Sequence, residues 1–344
     1  MKTIIRVFGK FLLGTLFFAL MFLIIDSLLV PRIFGDVRPE AYEKSYYWGE
    51  SFVKESSKVA DLRSIKRTSV GDVLTSSNFD GQYIDVVRGL RRTEPVPISP
   101  KYRIVTFGGS TTFCVEVPDA LTWPSQLAQK VFDREIEVMN GGLSGATFAD
   151  RVKAFEGLNL TNAGDVAIFF VGINDAVIGN QKNQVVGPLA RWPRLRRAVE
   201  ISLGWSNSGR LVLDRSQQLS FEITASTSEA VARFRQSLVS AEEFAASSRV
   251  RLLVVLQPSR FISVSPTWGN PTESVGESFS KSFRDFYRQI INGSDFQGRV
   301  VDGTRIFDSL NESPYLDFAH VQESGNQAIA SFIFSELKKR EWLN

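Results

Sequence analysis

Across residues 101–344, short apolar runs alternate with longer stretches whose apolar residues recur every three or four positions. The runs at 103–107, 136–139, 166–171, 252–256 and 300–301 predict strands. Compact apolar runs between turn residues suit a strand covered on both faces, and the shortest of these is flanked by Gly298 and Gly303. The stretches between them predict helices. One begins at Thr122-Trp123-Pro124 and reaches 132; a long one covers 228–247, where Val231, Phe234, Leu238, Ala241 and Phe244 share a stripe. Phe279, Phe283, Phe286, Tyr287 and Ile290 mark another stripe, and a last helix covers 323–339. Alternation of this kind predicts a parallel sheet with helices on both faces.

The N-terminal part follows a different pattern. Residues 11–30 are almost continuously apolar, close to the ~20 residues that span a bilayer as a helix. Lys2, Arg6 and Lys10 precede the run, and Asp26, Leu28, Leu29 and Pro31 stand where a small-x-small cleavage site would be. The expectation is a basic tail over 1–10 and an uncleaved transmembrane anchor over 11–30, with a cleaved signal or a buried helix as alternatives. Arg32, Arg38 and Lys44 balance the upstream charges, so the short basic tail decides the orientation and places the main domain on the extracytoplasmic side. Residues 31–100 read as a lead-in packed on the main domain: polar, but carrying Tyr46, Tyr47, Trp48 and Tyr83, and closed by Pro95-Val96-Pro97-Ile98-Ser99-Pro100. The expected fold class is therefore α/β: a three-layer α/β/α unit over 101–344 with a parallel, flavodoxin-like sheet of about five strands, plus the N-terminal transmembrane helix.

An insertion at about 177–221 interrupts the alternation. Its Arg191, Arg194, Arg196 and Arg197, beside Trp192, are either a solvated helix face or a contact for a membrane surface or an anionic polymer. The net charge of +3 is too small to argue for nucleic acid. The one cysteine, Cys114, excludes an internal disulfide, and the one histidine, His320, leaves no imidazole cluster for a metal. No phosphate-cradling loop stands out, so neither a cofactor nor a metal is expected.

Four turns carry the candidate chemistry. The first strand runs into Gly108-Gly109-Ser110-Thr111-Thr112, which delivers a serine to the carboxyl edge of the sheet. Asn140-Gly141-Gly142-Leu143-Ser144-Gly145 follows the second strand and can present a bare backbone N–H. Gly172-Ile173-Asn174-Asp175 follows the third, with the Asn174 amide as a neutral donor. Asp317 and His320 stand three apart before the last helix, close enough for the carboxylate to steady the imidazole while the other ring nitrogen faces outward.

In this order the blocks resemble the SGNH hydrolase superfamily, also called the GDSL family, in a Gly-Gly-Ser-Thr-Thr variant. The resemblance covers about 101–337: Gly108-Gly109-Ser110 matches its first block, Gly145 the second, Gly172-x-Asn174-Asp175 the third, and Asp317-x-x-His320 the last. Gly109 replaces the usual aspartate, and Val321 follows the histidine where proline or leucine is commoner. The resemblance implies an acyl-serine mechanism with Ser110 as nucleophile, His320 as base and Asp317 orienting it. The oxyanion would be received by the Ser110 and Gly145 N–H groups and the Asn174 amide, with Gly141 or Gly142 as alternatives to Gly145.

A rival nucleophile is Ser144, since Gly142-Leu143-Ser144-Gly145-Ala146 nearly spells the α/β-hydrolase elbow but ends in alanine. The expected function is a membrane-anchored esterase or O-acyltransferase acting on acyl esters, acetyl above all, of a small molecule or glycan. Gly81-Gln82-Tyr83-Ile84 and Gly89-Leu90-Arg91-Arg92-Thr93 resemble lead-ins of SGNH proteins linked to bacterial exopolysaccharide. A catalytically idle, membrane-anchored glycan-binding or scaffold protein and a lipid esterase are the alternatives.

Overall fold

Eight strands, not five, make the main sheet, and the three at one edge join it by antiparallel pairing. The computed structural model describes residues 61, 64–158, 160, 162, 164–178, 227–262 and 277–343. Two short strands, β1 (Arg67–Val70) and β2 (Val73–Ser76), pair only with each other. The main sheet then collects β3 (Phe79–Asp80), β4 (Asp85–Val87), β5 (Leu90–Arg91), β6 (Tyr102–Gly108), β7 (Ile136–Gly142), β8 (Val166–Val171), β9 (Arg251–Leu256) and β10 (Val300–Asp302). Its order is β10-β9-β8-β6-β7-β5-β4-β3. The pairings from β10 to β7 are parallel, whereas β5, β4 and β3 pair antiparallel. The expected parallel sheet of about five strands is thus corrected to a mixed sheet. The reason is local: the three added strands are two or three residues long, too short to show an alternating pattern.

The α-helices that accompany the sheet are α1 (Ser110–Phe113), α2 (Trp123–Val131), α3 (Phe148–Glu156), α4 (Ile173–Ile178), α5 (Thr227–Ser248), α6 (Glu277–Asn292) and α7 (Glu323–Lys339). Side chains alternate across a strand, so each central strand feeds two cores. Val105, Phe107, Ala167, Phe169 and Val171 pack beneath α3, α4, α5 and α6, joined by Phe148, Phe234, Phe283 and Phe286. Ile104, Val138, Ile168 and Phe170 pack on the other face against Trp123 and Leu127 of α2 and Ile329, Ile333 and Leu337 of α7. Each large apolar side chain so buried contributes about 1.5–3 kcal/mol. The helix starts are capped: the Thr122 hydroxyl accepts from Ser125 N, and Thr147 with Asp150 forms a reciprocal capping box.

No helix among the described residues is long and apolar enough to cross a membrane. The tail over 1–10, the anchor expected over 11–30 and the basic group Arg191, Arg194, Arg196 and Arg197 lie outside the described residues. Among the described residues the architecture is accordingly corrected to an α/β/α unit with no membrane span, and these residues support neither anchorage nor the extracytoplasmic placement.

The chain leaves β6 for β7 on one side of it and then crosses to β8 on the other. Neighbouring connections therefore diverge at the carboxyl ends of β6 and β8, which is where open α/β sheets form a crevice. Both α1 and α4 start there.

Candidate active site

Ser110 is the first residue of α1, immediately after Gly109 leaves the end of β6. Its Oγ lies 2.7 Å from Nε2 of His320. The other ring nitrogen, Nδ1, is 2.7 Å from Oδ2 of Asp317. The second carboxylate oxygen, Oδ1, accepts the backbone N–H groups of Ala319 and His320, each at 2.7 Å. Those bonds fix the carboxylate, the carboxylate fixes the ring, and the ring meets the serine. The turn that holds the pair is closed by a bridge between Tyr315 and Val321 and by Leu316 N–H donating to the His320 carbonyl at 2.8 Å.

A second loop supports this turn. After β9, the Ser259 hydroxyl and the Arg260 N–H both donate to the carbonyl of Phe318, at 2.9 Å each. The Thr111 hydroxyl beside the serine donates to Gln257 Oε1 at 2.7 Å. The sequence offered no cue to this brace, because it joins residues far apart in the chain through polar groups common in any loop.

Asn174 and the residue after Gly145 meet the glycine that precedes the serine. Asn174, near the start of α4, donates from Nδ2 to the Ala146 carbonyl at 2.8 Å. A Cβ on Gly109 would stand 2.3 Å from the same Nδ2 and 3.5 Å from the same carbonyl. Asn174, Ala146 and Gly109 are therefore in mutual contact, and a side chain at 109 would displace the amide from its present position. Gly142 is equally constrained, since a Cβ there would meet Phe113 N at 2.3 Å. Gly145 adopts φ +71°, the left-handed region that glycine enters freely. Among the described residues neither the Ser110 nor the Gly145 N–H has a backbone acceptor. Asp175 accepts from Phe148 N at 2.9 Å and Gly172 N at 3.2 Å, tying the turn after β7 to the turn after β8. Burial pushes its carboxyl up to about 6. Ser144 is half-buried, and Nε2 of the chain's one imidazole is engaged by Ser110 instead.

One neighbour was not singled out from the sequence. Glu116 is buried, with Oε1 3.7 Å from His320 Nε2. Burial pushes its carboxyl up to about 7 although the imidazole beside it acts in the opposite sense. For His320, burial disfavours the charged ring, but Glu116 and then Asp317 outweigh it and hold the ring up to about 9. The cue existed in the chain: Phe113-Cys114-Val115-Glu116-Val117 places one charge inside an apolar run. Among the described residues no cluster of histidine, cysteine and carboxylates could hold a metal ion.

No family model matches the chain, and no curated protein matches it. Solved structures do. A protein of the G-D-S-L family from Desulfitobacterium hafniense is 17% identical over 68% of this chain and 98% of its own, with a TM-score of 0.38. A lipase/acylhydrolase from Enterococcus faecalis is 16% identical over 70% of this chain and 96% of its own, at 0.42. A catalytic mutant of an acetylxylan esterase from Geobacillus stearothermophilus is 15% identical over 70% of this chain and 96% of its own, at 0.41. The structures it resembles are thus esterases and acylhydrolases of the SGNH/GDSL type, and at such low identity and superposition the likeness is weak and one of fold. The expectation of a membrane-anchored variant of that superfamily, acting on carbohydrate, is corrected accordingly: no described helix spans a membrane, and resemblance of fold carries no substrate with it.

Proposed function

We propose that the protein is a serine-dependent carboxylic ester hydrolase, or an O-acyltransferase, working through an acyl-Ser110 intermediate. The observation that carries this reading is the unbroken polar chain from Ser110 Oγ to His320 Nε2 and from His320 Nδ1 to Asp317 Oδ2, 2.7 Å at each link, in a protein with a single histidine. Ser110 Oγ attacks the ester carbonyl while Nε2 accepts its proton. Nδ1 keeps its hydrogen on Asp317, which orients the ring and stabilises the imidazolium. The Ser110 and Gly145 N–H groups, neither with a backbone acceptor among the described residues, and the Asn174 amide receive the charge that develops on the carbonyl oxygen. Nε2–H then protonates the departing alkoxide. Water or an acceptor hydroxyl next attacks the acyl-serine, Nε2 takes its proton, and Ser110 Oγ leaves with that proton. Which of the two attacks distinguishes hydrolase from transferase.

The test is to treat the protein with a fluorophosphonate and with p-nitrophenyl esters of increasing chain length. Covalent phosphonylation confined to the peptide bearing Ser110, together with release of p-nitrophenol, is the expected result. A label on another serine, or none on folded protein that also cleaves no ester, would refute the assignment. Asn174→Ala is expected to leave a folded protein whose kcat falls about 10²–10³-fold, the cost of one oxyanion donor. Its thermal midpoint and turnover are measured together, and unchanged turnover removes Asn174 from the site.

A further inference from the structure

Glu116 lies in the segment between α1 and α2, with a side chain 2% exposed. Its Oε1 is buried and makes no hydrogen bond. Buried carboxylates are ordinarily paired or fully hydrogen-bonded, because removing a charge from water is costly. The partner this oxygen does face is the imidazole: Oε1 is 3.7 Å from Nε2, the nitrogen that also meets Ser110 Oγ at 2.7 Å. The position of the carboxylate is imposed by its surroundings. Arg91, from β5, donates to the carbonyls of Phe113, Cys114 and Val117 on either side of Glu116 and pairs with Asp119. The ionisable groups around Glu116 are therefore His320 and Asp317 from the turn before α7, Arg91 from β5, and the buried thiol of Cys114.

We propose that Glu116 is a positioning residue acting through His320: it faces Nε2 as Asp317 faces Nδ1, and the two carboxylates together hold the ring as an imidazolium that cannot accept the Ser110 proton. This rests on the reading of Ser110 and His320 as nucleophile and base. While both ring nitrogens carry hydrogen, Nε2 is a donor toward Oγ and Oε1, and the serine has no base. When that proton is lost to solvent, the Nε2 lone pair faces Oγ and attack becomes possible. As Oγ bonds to the carbonyl carbon, its proton passes to Nε2, and the reformed imidazolium again lies between two carboxylates. Glu116 thus sets the pH at which the site switches on. The sign follows from charge. An opposite charge at this range favours the protonated ring, so removing Glu116 lets the base form appear at lower pH. Direction and cause agree with the raised His320 and with burial as the opposing influence.

His320 is the chain's only histidine, so ring-labelled histidine gives a single imidazole signal in the full chain. Its titration is followed by NMR in the parent, in Glu116→Gln and in Glu116→Met, the last an apolar near-isostere that folds without a buried amide. The expected result is a parent midpoint above that of free histidine and a fall of about one pH unit or more in both variants. The acid limb of kcat/KM on a p-nitrophenyl ester should move down by the same amount. A midpoint identical in parent and both variants overturns the inference, whatever the turnover. Should no ester be cleaved while the midpoint still falls, the coupling of Glu116 to His320 stands and the esterase reading fails alone.

Discussion

Ser110→Ala is expected to remove ester turnover while leaving the fold and its thermal midpoint essentially intact. The serine is half-buried at the first position of a short helix, and its hydroxyl is directed at His320, so alanine deletes a nucleophile without opening a core cavity. Loss of the nucleophile in an enzyme of this kind costs about 10⁶-fold in kcat. Ser110→Ala combined with His320→Ala should be scarcely slower than either alone, because the two groups act as one unit and the residual rate comes from the oxyanion donors and substrate binding. Steady-state kinetics on the ester preferred by the parent supply the measurement. Additive losses, or full activity in Ser110→Ala with its disappearance in Ser144→Ala, would hand the role of nucleophile to another group.

The second large effect is on stability. Arg91→Ala is expected to destabilise the protein by about 3–5 kcal/mol, because it strands a carboxylate and three carbonyls that now share one guanidinium. The Arg91 side chain is 0% exposed; Nε meets Asp119 Oδ1 at 2.7 Å, Nη2 meets the Val117 carbonyl at 2.7 Å, and Nη1 lies between the carbonyls of Phe113 and Cys114. In a unit of this size that loss lowers the thermal midpoint by roughly 6–20 °C. Arg91→Lys should recover little, since a single ammonium cannot reproduce a planar fork with donors on three nitrogens. Denaturant and thermal unfolding of the two variants decide the matter. A lysine variant as stable as the parent would mean that charge, not geometry, is what the segment requires.

Arg91 also marks the limit of what could be read along the chain. It belongs to β5, two residues long, inside a segment whose polar character predicts no strand. Its place is settled by pairing with Asn140 of β7 and by carbonyls more than twenty residues downstream. The central elements were legible because their pattern is long. Six consecutive buried residues make β8, and the stripe from Val231 to Phe244 makes the core face of α5, which extends one residue past the expected start and one past the expected end. The antiparallel additions that turn a five-stranded parallel sheet into a mixed one had no such length. Glu116 was missed for another reason: one charge in an apolar run has no meaning until the imidazole it faces is placed beside it.

Chemistry and context separate along the same line. Local backbone rules and side-chain periodicity act over a few residues, so the amino-acid order alone was enough to put Ser110 at a strand end, Asn174 after another strand and Asp317 three residues before His320. That Nε2 reaches Oγ, that Gly109 leaves room for the Asn174 amide, and that a second carboxylate stands against the ring depend on segments far apart in the chain, 210 residues for Ser110 and His320, meeting at one sheet edge. Such contacts follow from strand order and from how two cores close around a sheet, and those are settled only when the whole unit packs.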